Sequence, residues 1–154
     1  MPELHVSPVA VIHNSRKEPS DDAWDSLVSE IRLAPSLPAD SLVGLEAFSH
    51  VEIVFQFHLV QETDIVVAMR HPRENPLWPE IGIFAQRGRL RPNRLGVSVA
   101  RFLRREGRSL FVQGLDAVDG TPVLDIKPVM LEFLPRGEIT QPDWSHELMK
   151  GYWE

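Results

Sequence analysis

The chain has 154 residues, 43% of them hydrophobic, which suits one domain with a substantial core and is short for two. Its formal net charge is -6 and it has no Cys, so there is no disulfide framework and no thiolate metal site. No apolar run approaches the ~20 residues of a membrane helix, and MPELHVSPVAVIH lacks the basic start and long apolar stretch of a signal peptide, so a cytoplasmic protein is expected.

Residues 6–13 (VSPVAVIH) are β-branched and apolar and predict a first strand. Ser20, followed by Asp21 and Asp22, predicts the N-cap of a short turn or helix, and residues 30–33 predict a second strand. Pro35 and Pro38 mark a loop, and GLEAFSH is a connector. Residues 51–60 (VEIVFQFHLV) are nearly continuously apolar and predict a strand covered on much of both faces. A further strand is expected at 63–69, then a proline-rich loop at 71–79 (HPRENPLWP). Strands are expected at 81–85, 96–103, 109–112 and 122–126, with 129–134 closing the sheet. Pro142 opens a helix to Lys150. Many short strands with few helices predict a mainly β fold, a single small barrel or sandwich.

Charge is unevenly placed. Eight Arg fall in residues 87–108, opposed within that segment only by Glu106. Such a segment makes either a local positive field for a polyanion or a solvated basic face. Arg rather than Lys favours forked recognition of phosphate or carboxylate.

Several chemistries lack their residues. There is no G-x-G-x-x-G between a strand and a helix, so a Rossmann methyltransferase is not expected. No two of the six His have the i, i+4 spacing of a helical zinc site, so no metal is expected. A serine elbow fails at position 100, which is Ala. His58 reads as a hydrogen-bonded core residue and His50 as a backbone partner at a strand start. The stretch QGLDAVDGTPVLDIKP has two readings. In one, Asp119-Gly120 is a hairpin turn and Asp125 pairs with Lys127. In the other, the turn presents N–H groups and carboxylates to a small polar ligand.

Four stretches, in this order, resemble the TsaA-like (TrmO, YaeB-like) family of tRNA adenosine-37 N6-methyltransferases: PVAVIHNSRKEP, GLEAFSHVEIVFQFH, GIFAQRGRLRPNRLGVSVARF and GLDAVDGTPVLDIKP. The pairing of R-P-N-x-x-G-x-S with D-G-T-P-x-x-D-I-K-P is specific to that family. The resemblance implies a small non-Rossmann β-barrel, spanning residues 1–136 with a helical tail at 137–154. It implies a homodimer, S-adenosyl-L-methionine as cofactor, and methylation of N6 of threonylcarbamoyl-adenosine 37 in the tRNA anticodon loop. Matched motif by motif, the implied cofactor contacts are His58, Leu59, Arg87, Val97 and residues 116–122, including Asp116, Asp119, Gly120, Thr121 and Pro122. Where the family carries P-R-Q after the first strand, this chain has Lys17-Glu18-Pro19.

From the same resemblance, Asp116 and Asp119 would offset the cofactor's positive charge, while Arg89, Arg91 and Arg94 would take RNA phosphates. Trp78, in a loop, is the freer aromatic for stacking a splayed base, while Phe84 reads as core on its strand pattern. Asp125 and His58 are both open as acceptors of the departing proton. A module that binds S-adenosylmethionine without methylating tRNA, a sensor or an interaction domain, is the alternative.

Overall fold

Alternating apolar residues close six antiparallel strands on themselves. In the computed structural model, which describes residues 1–154, the strands are β1 (Ala10–His13), β2 (Val28–Leu33), β3 (His50–Gln56), β6 (Leu95–Glu106), β7 (Ser109–Gln113) and β8 (Pro122–Pro128). Their order around the barrel is β1-β2-β7-β6-β3-β8, and β8 returns to β1. The excursion between β3 and β6 holds a two-residue pair, β4 (Met69–Arg70) and β5 (Ile81–Gly82). One helix, α1 (Asp143–Met149), lies near the C-terminus.

The interior follows the period of two that a pleated strand imposes. Val51, Ile53 and Phe55 of β3 are buried and alternate with partly exposed neighbours. They meet Ala10 and Ile12 of β1, Ile31 and Leu33 of β2, Leu110 and Val112 of β7, and Val123 of β8. Phe55 is the largest fully buried side chain, and truncating it to Ala would cost about 3–5 kcal/mol. Gly96 faces this ring: a Cβ there would stand 2.4 Å from two Phe55 ring carbons. Glycine is required at that point because the phenyl group already fills the volume.

Several expectations are corrected. The strand over residues 51–60 ends at Gln56, and its two faces differ, with Glu52, Val54 and Gln56 only partly buried. Residues 63–69, despite Ile65, Val66 and Val67, form a 3-10 turn (Glu62–Asp64) and reach a strand only at Met69. Residues 129–134 contain a 3-10 turn (Leu131–Phe133) and add no strand, because β8 already has β1 and β3 as neighbours. Ser20 caps no helix, and its hydroxyl instead accepts from Arg16 and donates to the Asp22 carbonyl. Asp119-Gly120 is not a hairpin turn, because β7 and β8 are not paired with each other.

Candidate functional site

Antiparallel pairing fixes which segments share an end of the barrel. β1 and β7 finish, and β2, β6 and β8 begin, at the end where β3 runs out. Residues 14–27, 57–60, 87–94 and 114–121 are therefore the connections at one end. The β6–β7 hairpin with Arg104, Arg105 and Arg108 belongs to the opposite end. The arginine segment, continuous in sequence, is thus divided by the length of β6.

At the site end, Asp119 is held from three sides. Its Oδ1 accepts from the Asn14 backbone N–H at 3.0 Å, its Oδ2 accepts from Lys17 Nζ at 2.7 Å, and His13 Nδ1 stands 3.7 Å from Oδ1. The Lys17 bond, then the Asn14 N–H, keep the Asp119 carboxyl below the ordinary aspartate range. Asn14 is the hub: its side-chain nitrogen donates to Ser29 Oγ and the Ala117 carbonyl, each at 2.9 Å, and its oxygen accepts from the Arg16 N–H at 3.0 Å. The turn also pairs with β1 through Gly120 N–H to the Ile12 carbonyl at 2.8 Å. Gly120 has φ +82°, a left-handed conformation that favours glycine.

The same turn meets the chain beyond β3. Thr121, 2% exposed, places its Oγ1 3.3 Å from His58 Nδ1, and a Cβ on Gly120 would stand 3.5 Å from His58 Nε2. Burial lowers the His58 pKa below 6.5, with the Asp119 charge acting in the opposite direction. His58 is thus hydrogen-bonded, as its strand pattern implied, but it lies beyond the end of β3 and is only partly buried. Leu59 beside it is 47% exposed.

Arg87 donates to the Val97 carbonyl at 2.8 Å, joining two of the expected residues. Arg91 Nη1 donates to the Gln86 carbonyl at 2.7 Å, and Arg94 Nη1 to the Val60 carbonyl at 2.8 Å. The Arg94 carbonyl also accepts the Phe57 N–H at 2.8 Å. Asn93 and Arg94 both adopt positive φ, 63° and 53°, so this turn is strained and held by those bonds. The R-P-N turn thereby fixes the segment that carries His58. Arg89 is exposed and forms no ion pair. The remaining arginines are largely neutralised: Arg101 by Asp25, Arg104 by Glu106 and Arg105 by Glu46.

Asp116 has a partner that no motif announced. Tyr152 donates its hydroxyl to Asp116 Oδ2, while Asp116 Oδ1 is buried with no hydrogen-bond partner. Burial, then the Asp116 charge, push the Tyr152 phenol strongly upward, against the nearby positive charges of Arg87 and Arg73. Tyr152 is therefore tied to the 116–119 turn and feels the charges of Arg87 and Arg73. It is carried there by the tail, whose Gly151, Tyr152 and Trp153 carbonyls accept from the N–H groups of Ala23, Trp24 and Asp25 at 3.2, 3.1 and 3.1 Å.

The aromatic expectation is reversed. Phe84 is 75% exposed, because β5 lasts two residues and a 3-10 turn (Ile83–Ala85) buries Ile83 and turns Phe84 outward. Trp78 is half-buried, and its Nε1 donates to Glu147 of α1 at 2.9 Å. Asp125, on β8, accepts from Lys127 and from the Ile126 N–H at 2.9 Å. It stands four residues from Thr121, about 13 Å along an extended strand. Asn14 and Tyr152 are the site residues that sequence reasoning missed. The only signal for Tyr152 was that it is the single Tyr of the chain.

No helix is long and apolar enough to cross a membrane, and no group of three or more His, Cys, Asp or Glu side chains is gathered to hold a metal ion. The chain is 34% identical over 131 residues to a probable S-adenosyl-L-methionine-binding protein of Pyrococcus abyssi, covering 82% of this chain and 68% of that one. It is 38% identical over 105 residues to the human tRNA (adenine(37)-N6)-methyltransferase, covering 68% of this chain and 23% of that protein. The solved TrmO of Pseudomonas aeruginosa superposes with a TM-score of 0.75 at 28% identity, over 94% of this chain and 62% of that chain. The chain thus spans about a quarter of the human relative and three fifths of the solved one. Residues 11–133, from β1 through the turn that follows β8, match one family profile, and the chain belongs to the tRNA-methyltransferase O N-terminal domain family.

Proposed function

We propose that the protein is an S-adenosyl-L-methionine-dependent methyltransferase acting on N6 of adenosine 37 in tRNA, with threonylcarbamoyl-adenosine as the acceptor. The observation that carries this reading is the meeting of Thr121 with His58, in the same end of the barrel as Arg87 and Val97. The residues fit the cofactor. The buried, unpartnered Asp116 Oδ1 calls for an N–H or O–H donor, which a sulfonium nucleoside with ribose hydroxyls and an ammonium supplies. The names of the Pyrococcus, human and Pseudomonas relatives point the same way.

Bound S-adenosylmethionine supplies an electrophilic methyl group on sulfur. The chain's own contribution is largely placement, holding the acceptor nitrogen about 3–3.5 Å from the carbon it attacks. His58, Leu59, Arg87, Val97 and residues 116–122 would line the donor site. His58, held neutral by burial, is the better placed acceptor for the N6 proton, since Asp125 stands along β8 and is engaged by Lys127. Phe84, exposed beside the arginine bend, takes the stacking role for a splayed base. Arg89 meets phosphates, with Arg91 and Arg94 contributing charge while their guanidinium groups hold the loop.

A homodimer in the cytoplasm belongs to the same proposal. Leu95, Val97, Val99 and Leu103 present an apolar stripe on the outer face of β6, each about 40% exposed, and light scattering reads whether a second copy covers it. Comparison of modified nucleosides in tRNA from a deletion strain and its parent tests the activity. Loss of the methyl group at adenosine 37 is expected, and unchanged methylation overturns it. That second result would favour a binding module without methyl transfer; the Pyrococcus relative's name specifies S-adenosyl-L-methionine binding alone.

A further inference from the structure

The two carboxylates of the 116–119 turn are not equivalent. Asp119 accepts from Asn14 and from Lys17, which offsets its charge. Asp116 has no cationic partner within ion-pair distance: Tyr152 satisfies one oxygen, and the other is buried and unpaired. A buried carboxylate oxygen without a donor is costly, and such an orphan points to a ligand contact. The other buried orphan, Trp24 Nε1, is a donor on the 20–25 segment that is bonded to the tail.

Tyr152 is not placed by chance of a loose tail. Three consecutive backbone carbonyls of residues 151–153 are hydrogen-bonded to residues 23–25. Trp153 packs edge-on against the Tyr152 ring, with centroids 5.0 Å apart at 87°. Upstream, Glu147 accepts from Trp78. Arg73, from the same loop as Trp78, donates to Asp22 at 3.0 Å. The tail, the 71–79 loop and the 20–25 segment thus brace one another around the phenol. With its rotation limited at both ends, the hydroxyl fixes which Asp116 oxygen is covered and which is left open.

We infer that the C-terminal segment forms a wall of the cofactor site, and that Tyr152 is a positioning residue that holds Asp116 so that Oδ1 accepts a hydrogen bond from the bound nucleoside. This rests on the reading of S-adenosylmethionine as cofactor, and it moves the charge-bearing role from Asp119 to Asp116. The donor is the α-ammonium or a ribose hydroxyl of the ligand. The tail is then part of the binding machinery and not an appendage to the barrel.

Calorimetry with S-adenosylhomocysteine and with 5′-methylthioadenosine, which lacks the amino-acid part, tests this on the full chain. Tyr152→Phe keeps the ring and removes the hydroxyl, and is expected to weaken S-adenosylhomocysteine binding about tenfold with the melting temperature kept. Asp116→Asn is expected to weaken it at least as much, and the double variant no further, because both act through one oxygen. A matching loss for methylthioadenosine assigns Oδ1 to the ribose; a loss confined to S-adenosylhomocysteine assigns it to the ammonium. Wild-type affinity in Tyr152→Phe, or losses that simply multiply in the double variant, overturns the inference. If Tyr152→Phe melts well below the wild type, Asp116→Asn alone decides: undiminished affinity overturns the inference. A wild-type chain that binds neither ligand overturns the cofactor reading and this inference with it.

Discussion

Thr121 Oγ1 lies 3.3 Å from His58 Nδ1 although 63 residues separate them. β3 and β8 are antiparallel neighbours with Phe55 opposite Val123, so the residues just after β3 and just before β8 must meet. Register brings the F-x-F-H strand and the D-G-T-P turn together. Asn14 and Lys17, from the connection after β1, then fix the turn's carboxylate.

His58 reports the electrostatics of this meeting. Burial lowers its pKa and the Asp119 anion raises it, so the imidazole titrates below 6.5 and Asp119→Asn moves it lower still. A histidine depressed in the folded state binds protons more readily when unfolded, so its contribution to stability is present above pH 6.5 and declines as pH falls below it. NMR titration of the ring protons in wild type and Asp119→Asn measures this. A rise in the variant would contradict it.

Asp119 gives the complementary acid signature. Its carboxyl is depressed below 3.8 by Lys17 and the Asn14 N–H. Its stabilising contribution is therefore present above the unfolded value and is lost as pH falls through the folded one. Urea unfolding from pH 6 down to pH 2 should show Asp119→Asn less stable than wild type at pH 6, the two converging at the acid end. Parallel curves would show that the Lys17 contact contributes nothing.

Phe84 and Trp78 should separate cleanly. Stacking of an unpaired base on an aromatic is worth about 1–3 kcal/mol. Phe84→Ala is therefore expected to lower kcat/KM for tRNA about tenfold or more with S-adenosylmethionine affinity unchanged. Trp78→Ala removes the bond to Glu147 and should lower the melting temperature instead. Equal effects on tRNA kinetics would refute the assignment.

The arginines differ in the same manner. Arg89→Ala should reduce the slope of log K against log salt for tRNA binding by about 0.7, the value for one phosphate contact on a single strand. Arg94→Ala removes the tether to the Val60 carbonyl, so its main expected effect is lost thermal stability. An unchanged salt slope in Arg89→Ala would remove that residue from the RNA surface.

Gly96→Ala probes the barrel interior. Its Cβ would overlap the Phe55 ring at 2.4 Å, and overpacking of this kind costs about 1–3 kcal/mol. Denaturant unfolding measures it, and a variant as stable as wild type would mean the ring shifts freely.

What the sequence disclosed was local chemistry and period. Strand-forming runs located β3, β6 and β7, although residues 51–60 read as covered on both faces, and the motifs named residues that the register then brought to one end of the barrel. Partner choice was not legible. Asp119-Gly120 looks like a hairpin turn locally, but β8 is taken by β1 and β3, a consequence of barrel closure that no window of sequence contains. Phe84 was misassigned because alternation holds only while a strand lasts, and β5 ends at Gly82. Residues 65–67 have strand-forming side chains, yet no neighbouring strand is there to receive their backbone. Tyr152 meets Asp116, 36 residues away in sequence, with no motif around it.

The central claim is that the 116–122 turn and the Arg87 bend form one site for S-adenosylmethionine. Calorimetric titration of that ligand into wild type, Arg87→Ala and Asp119→Ala tests it most directly. The account predicts binding by the wild type and affinity lower by about tenfold or more in each variant, Asp119→Ala acting by freeing the 116–122 turn from Asn14 and Lys17, with the barrel still folded. Wild-type affinity in both variants would contradict it.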